Sequence, residues 1–282
     1  MLRNAFAYIT RKWPKSLLLF AIILLMGTLS LIGLSMKGAT QQASSESLGS
    51  ITNSFSMQIN RRTNPGTPRG AGNLRGEDIE KISQVEGITS SIKRINAIAD
   101  ILDHEIIETE ETLQNQSPER AKHFKNTLMV TGVNDSSKED KFVSGAYKLV
   151  QGEHLTDKDK NQILMHEDLA KKNGLKVGDK VRLKSNLYDA DNEKGANETV
   201  EVTIKGLFSG KNQAPLTYAQ ELYEDTLISD LDTAAKLYGN TVQTATYEDA
   251  TFFAKGDQDL DKLIEKIKAL DIPWNYYDLV KS

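Results

Sequence analysis

The chain has 282 residues with a net charge of −4, 39% hydrophobic and 26% charged residues, the make-up of a folded protein with a real core and not of a collagen-like or disordered chain. It has no cysteine, which excludes disulfides, thiolate nucleophiles, Cys-type zinc sites and a lipid-bearing N-terminal cysteine. With −4 on the whole chain and +5 on residues 1–37 (Arg3, Arg11, Lys12, Lys15, Lys37 and no acid), residues 38–282 hold −9; such an acidic body argues against nucleic acid as a partner, because phosphate binding needs a basic surface.

Leu2, Phe6, Ile9 and Trp13 fall on one face of a helix, and the spacing predicts a short amphipathic helix over 1–15 lying on the cytoplasmic membrane surface. Pro14 separates it from the run SLLLFAIILLMGTLSLIGLSM at 16–36, which holds no charge and has the length a helix needs to cross a bilayer. Basic residues crowd its N-terminal side, so the positive-inside rule places the N-terminus in the cytoplasm and the rest outside. The run is longer than the apolar core of a signal peptide and no A-x-A site follows, so an uncleaved anchor is expected. Residues 38–50 are small and polar, and 37–53 is expected to continue the helix as a stalk or to act as a linker.

Beyond the stalk, Phe55, Met57 and Ile59 alternate in a strand pattern at 54–60. The Gly-, Pro- and Arg-rich stretch 61–76 is a loop, with Arg61, Arg62, Arg69 and Arg75 read as solvated. A helix is predicted over 77–85, ended by Gly87, and β-like alternation over 88–102. The pattern returns at the C-terminus as strand 249–254, amphipathic helix 257–270 and strand 272–280, the last taking Trp274, Tyr276 and Tyr277 into the pleat. Two βαβ units imply an α+β, ferredoxin-like domain split into 54–126 and 240–282. The intervening 127–239 reads as a β-rich insertion, with strands at 127–133, 180–183 and 199–207 around a long turn at 186–197.

Few residues carry chemistry. Asp189, Asp191 and Glu193 start like a calcium loop, but Lys194 and Val200 stand where Gly and Glu are required, which leaves a turn. The chain has no P-loop, G-x-S-x-G or H-E-x-x-H motif. His154 and His166 each lie near acids and read as surface pairs. No catalytic set, metal site or cofactor is expected.

Residues 147–183 read YKLVQGEHLTDKDKNQILMHEDLAKKNGLKVGDKVRL. The order of Gly152 and Leu155, an acidic turn at 157–159, a strand at 163–165, a short helix carrying Leu169, then Gly174, Val177, Gly178 and Asp179 resembles the extracytoplasmic domain of MacB/FtsX-type ABC transporter permeases. Anchor and flanking text are similar to Vex-type permeases of Gram-positive cocci. The resemblance implies the N-terminal part of a permease subunit in the plasma membrane, paired with a second permease chain, identical or different. A separate cytoplasmic ABC ATPase would drive it, with membrane lipid around 16–36 and a peptide or toxin-like substrate moved by mechanotransmission. This chain itself would be no enzyme. Permeases of that family carry three more membrane helices after the outer domain, and none follows 16–36 here; the alternative is a single-pass anchored binding or sensor module.

Overall fold

The computed structural model describes residues 53–114, 117–212, 221–256 and 258–281. The expected surface helix, membrane helix and nearly all of the stalk therefore lie outside the described residues. Among those described, no helix is long and apolar enough to cross a membrane. Residues 53–282 form one compact unit.

Twelve strands and seven α-helices are described, in chain order β1 Ser54–Ile59, β2 Leu74–Arg75, α1 Gly76–Ser83, β3 Ile88–Leu102, α2 Glu110–Gln114, α3 Pro118–His123, β4 Thr127–Val133, α4 Asp140–Val143, β5 Lys148–Gly152, β6 Gln162–His166, α5 Glu167–Lys172, β7 Lys180–Ser185, β8 Thr199–Ser209, β9 Thr226–Ser229, α6 Leu231–Lys236, β10 Thr246–Tyr247, β11 Asp249–Ala254, α7 Leu260–Lys268 and β12 Tyr277–Lys281.

Four strands lie side by side in the order β12–β1–β11–β3, every neighbouring pair antiparallel. Alternation decides the faces: Phe55 and Met57 stand across from Phe252 and Ala250, all four fully buried, and Phe55 stacks on Phe252 with ring centroids 5.2 Å apart. Ile79 and Ile82 of α1 and Leu263, Ile264 and Ile267 of α7 join that core. The i, i+3, i+4 spacing that predicts α7 is thus the stripe it buries, and Asp259 caps its N-terminus by accepting from the amides of Asp261 and Lys262.

β3 is 15 residues long and serves two structures. Its first half pairs with β11 as far as Arg94; beyond, it pairs with β4 on one edge and, from Ala99 to Leu102, with β7 on the other. The ladder continues from β4 to β9, β6, β8, β7 and back to β3. This closes a six-stranded barrel. Its inward positions are apolar, among them Ile95, Ala97, Leu128, Val130, Leu227, Met165, Ile204, Val202 and Leu183, so the lumen is a packed core and not a pore. The helices α6 and α5 stop its two ends with Ala234 and Ala235 and with Leu169 and Ala170. Gly132 is required under α6, since a Cβ there would lie 2.5 Å from the Cβ of Ala234.

Three expectations need correction. The helix predicted to run to residue 85 ends at Ser83. Gly87, at φ +106°, belongs to the turn into β3 and does not cap the helix. The predicted strand 272–280 begins only at Tyr277: Pro273 precedes a 3-10 turn of Trp274, Asn275 and Tyr276, and the Trp274 indole donates to Leu270 O at 3.3 Å instead of lying in the pleat.

Candidate functional site

The motif residues of 147–183 scatter over the barrel and meet at no single point. Gly152 ends β5 at φ +79°, and a Cβ there would lie 2.2 Å from Lys205 O, so β5 can approach β8 only without a side chain. Leu155 is fully buried in a second, smaller core with Tyr147, Leu164 and Phe208, and Leu169 in the main one. Gly174 takes φ +66° just beyond α5, the left-handed position that ends helices. Val177 packs on the core. Gly178, at φ +93°, sits third in the turn 176–179, where positive φ is needed; the Asp179 carboxylate accepts from the Lys176 amide at 3.0 Å, and Gly178 donates to Ile204 O at 2.8 Å.

The histidines are structural too. His166 is buried rather than part of a surface pair. Its Nδ1 accepts from the Asp168 amide at 3.1 Å and caps α5, while Nε2 donates to Gly210 O at 2.8 Å. His154 Nδ1 lies 2.9 Å from the Ser136 hydroxyl, and burial lowers its pKa. Among the described residues no cluster of His, Asp and Glu could hold a metal ion.

A cleft of about 890 Å³ lies between α1 and β3 on one side and the barrel's β5–β6 loop and α6 on the other. Glu80, Lys81, Lys93, Asp157, Lys160 and Asp232 line it. Its charges are of both signs with acids in excess, and Lys93 and Glu80 lie 3.5 Å apart. Such a surface can contact a polar chain of mixed charge.

Two features read separately in the sequence come together. Arg69 is not solvated: Nε lies 2.7 Å from Asp189 Oδ1 and a terminal nitrogen 3.2 Å from Asp191 Oδ2. Its amide also donates to Asp191 Oδ1 at 2.8 Å. The side chains of Asp189 and Asp191 are 0% and 3% exposed, so the long turn between β7 and β8 is folded against the loop 61–73. Burial raises the Asp189 carboxyl above its ordinary range, against the opposing pull of Tyr238 and Arg69. Tyr238, just after α6, donates its hydroxyl hydrogen to Asp189 Oδ2; that hydroxyl accepts from Arg69 at 2.9 Å and from the Ile98 amide at 3.1 Å. Nothing local in the sequence marks Tyr238.

The family profile described as the MacB-like periplasmic core domain matches residues 16–270. The chain belongs to that family. Three solved structures are similar to it: the periplasmic region of MacB from Actinobacillus actinomycetemcomitans (17% identity, TM-score 0.46, 83% of this chain and 90% of that one); the extracellular domain of the noncanonic ABC-type transporter YknZ from Gram-positive bacteria (11%, 0.42, 81% and 100%); and a domain of a putative permease protein from Porphyromonas gingivalis (14%, 0.39, 82% and 91%). No curated protein sequence matches. The MacB-like chain is thus a component of a membrane ABC transporter, its mixed α+β body being an extracytoplasmic domain. In this family ATP hydrolysis belongs to a cytoplasmic ABC ATPase.

Proposed function

We propose that the chain is the N-terminal part of a permease subunit whose outer domain moves or gates a peptide or toxin-like substrate when a cytoplasmic ATPase closes the permease dimer. The observation that carries this reading is the family match over 16–270, which takes in the apolar run 16–36 together with the outer domain. The strand pairing supports it: Phe55 of β1 stands opposite Lys281 of β12, so the start of the domain's first strand and the end of its last lie side by side. In this reading 16–36 spans the membrane with the N-terminus in the cytoplasm, 1–15 lies on the inner surface and 37–53 transmits the motion. The order β12–β1–β11–β3, with α1 and α7 each joining two of its strands, supports a split ferredoxin-like subdomain of 54–126 and 240–282. Residues 127–239 supply most of the barrel, and the motif residues Gly152, Leu155, Leu169, Gly174, Val177, Gly178 and Asp179 shape it. The mixed-charge cleft is where a polar peptide would touch.

The test is to tag the protein at its chromosomal locus and identify what co-purifies from gently extracted membranes. A stoichiometric ABC ATPase is the expected result. A chain recovered without any ATPase would overturn the permease reading and leave the anchored binding module.

A further inference from the structure

The sheet and the barrel share β3, and the place where they part is visible in its hydrogen bonds. On one edge of β3, pairing with β11 stops at Arg94 and pairing with β7 starts at Ala99. Between them the edge is open, and the amide of Ile98 finds no strand. It donates instead to the Tyr238 hydroxyl at 3.1 Å. A polar cavity of about 180 Å³, lined by Asn96, Tyr238 and Asp191, lies in the same opening. Sheet and barrel share one continuous apolar core on either side of the fork, and at the open edge itself the Tyr238 phenol stands where a strand would be.

That phenol is also the centre of a cross-link. The loop 61–73 leaves β1 and is held near the sheet by Asn60 N–H to Tyr276 O at 2.8 Å and by Thr63 to Asn275 O. At its far end Arg69 reaches the barrel turn, binding Asp189 and Asp191, while Asp189 and Arg69 both bond Tyr238. Two backbone connections join sheet and barrel, β3 itself and the return from α6 to β11. The Arg69 cluster is a further tie on the open edge of β3, while on the other edge Asn134 bonds Ser91 and Lys93 and Arg94 meets Asp140. The cluster sets two buried carboxylates against one guanidinium, so its components depend on one another: remove the arginine and two carboxylates are left buried without their cation. A tie of this sort is held or lost as a unit.

We propose that Arg69, Asp189, Asp191 and Tyr238 form a clasp that fixes the sheet to the barrel, and that its opening lets the two turn relative to each other about residues 95–98 of β3. The closed clasp makes the outer domain one rigid body; the open clasp frees the barrel from motion applied through β1. The proposal goes beyond the permease reading, and its test reads a distance, so it stands or falls without any transport assay.

The chain has no cysteine, so spin labels can be placed at Glu265→Cys in α7 and Lys171→Cys in α5, both exposed. The full-length protein in lipid nanodiscs is measured by double electron–electron resonance, with and without Arg69→Gln. One narrow distance distribution is expected with the clasp intact, and a broadened one with a second population in Arg69→Gln. Tyr238→Phe removes one hydroxyl and keeps the ring, so it serves if Arg69→Gln fails to fold; it should broaden the distribution too, and speed hydrogen exchange of the Ile98 amide about tenfold or more. Lowered stability with an unchanged distribution in both variants would reduce the cluster to a structural bridge and overturn the proposal.

Discussion

At the scale of single residues, backbone geometry and burial make sharp predictions. Gly152 and Gly174 both have positive φ, but a Cβ on Gly152 strikes the carbonyl of Lys205 whereas one on Gly174 meets nothing. Gly174→Ala should therefore cost about 1 kcal/mol, the conformational term alone. Gly152→Ala should cost roughly 3 kcal/mol or more, because β5 must also move off β8. Urea denaturation of the two variants side by side checks the ranking. Asp225 offers a test by pH. It is fully buried, one oxygen accepts from the Ile107 amide at 2.7 Å, and the other has no partner. Burial first, then the nearby Glu224 and Glu108, push its pKa up to about 8 against the opposing Ile107 amide and Lys172. An acid whose folded pKa is raised gives the fold its full advantage below the unfolded carboxylate value, and that advantage is lost as pH rises through the folded value. Asp249, raised to about 6 by burial despite Arg94, acts in the same sense over a narrower range. The protein should thus lose stability steadily from about pH 4 to pH 8, and Asp225→Asn should flatten the upper part of that slope. Thermal melts at pH 5 and pH 8 decide it; an Asp225→Asn protein as pH-sensitive as the wild type would refute the assignment.

At the scale of elements, α7 separates two kinds of stabilisation. Asp259→Ala removes a cap that serves two amides and should cost about 1 kcal/mol. Leu263→Ala leaves a cavity where a nearly fully buried side chain (2% exposed) packs under the sheet, and should cost roughly 2–5 kcal/mol. Both should leave the urea m-value unchanged, since neither alters the surface exposed on unfolding. The elements also show how far a sequence can be read. The strands at 54–60, 199–207 and 249–254 and the helix within 257–270 were legible, because each has a buried stripe that alternates or recurs with a clear period. The short strands β2, β5, β9 and β10 were not. β9 is buried on both faces, Thr226 through Ser229, and a strand without a wet face shows no alternation. Trp274 and Tyr276 misled in the opposite direction: aromatic residues favour strands, but Pro273 and the lack of a ladder partner keep them in a 3-10 turn.

At the scale of the whole molecule, the proposed transmission of motion predicts that a proline placed within residues 37–53 abolishes transport by the assembled permease while the outer domain keeps its melting temperature. Normal transport by such a variant would eliminate that mechanism. Much of this scale could be read from one dimension. The unbroken apolar run with basic residues before it, the acidic outer body, the doubled strand–helix–strand pattern and the motif from Gly152 to Asp179 are local or compositional signals, and each survives without knowledge of what packs on what. The tertiary structure alone decided that β3 continues from sheet to barrel, that six strands close on themselves, and that Arg69, Asp189 and Tyr238 meet. Those three residues are separated by 120 and 49 positions along the chain, and each taken singly is an ordinary loop arginine, turn aspartate or helix-end tyrosine. Their chemistry comes from sharing one buried place, and proximity across the chain is what local periodicity and spacing cannot encode.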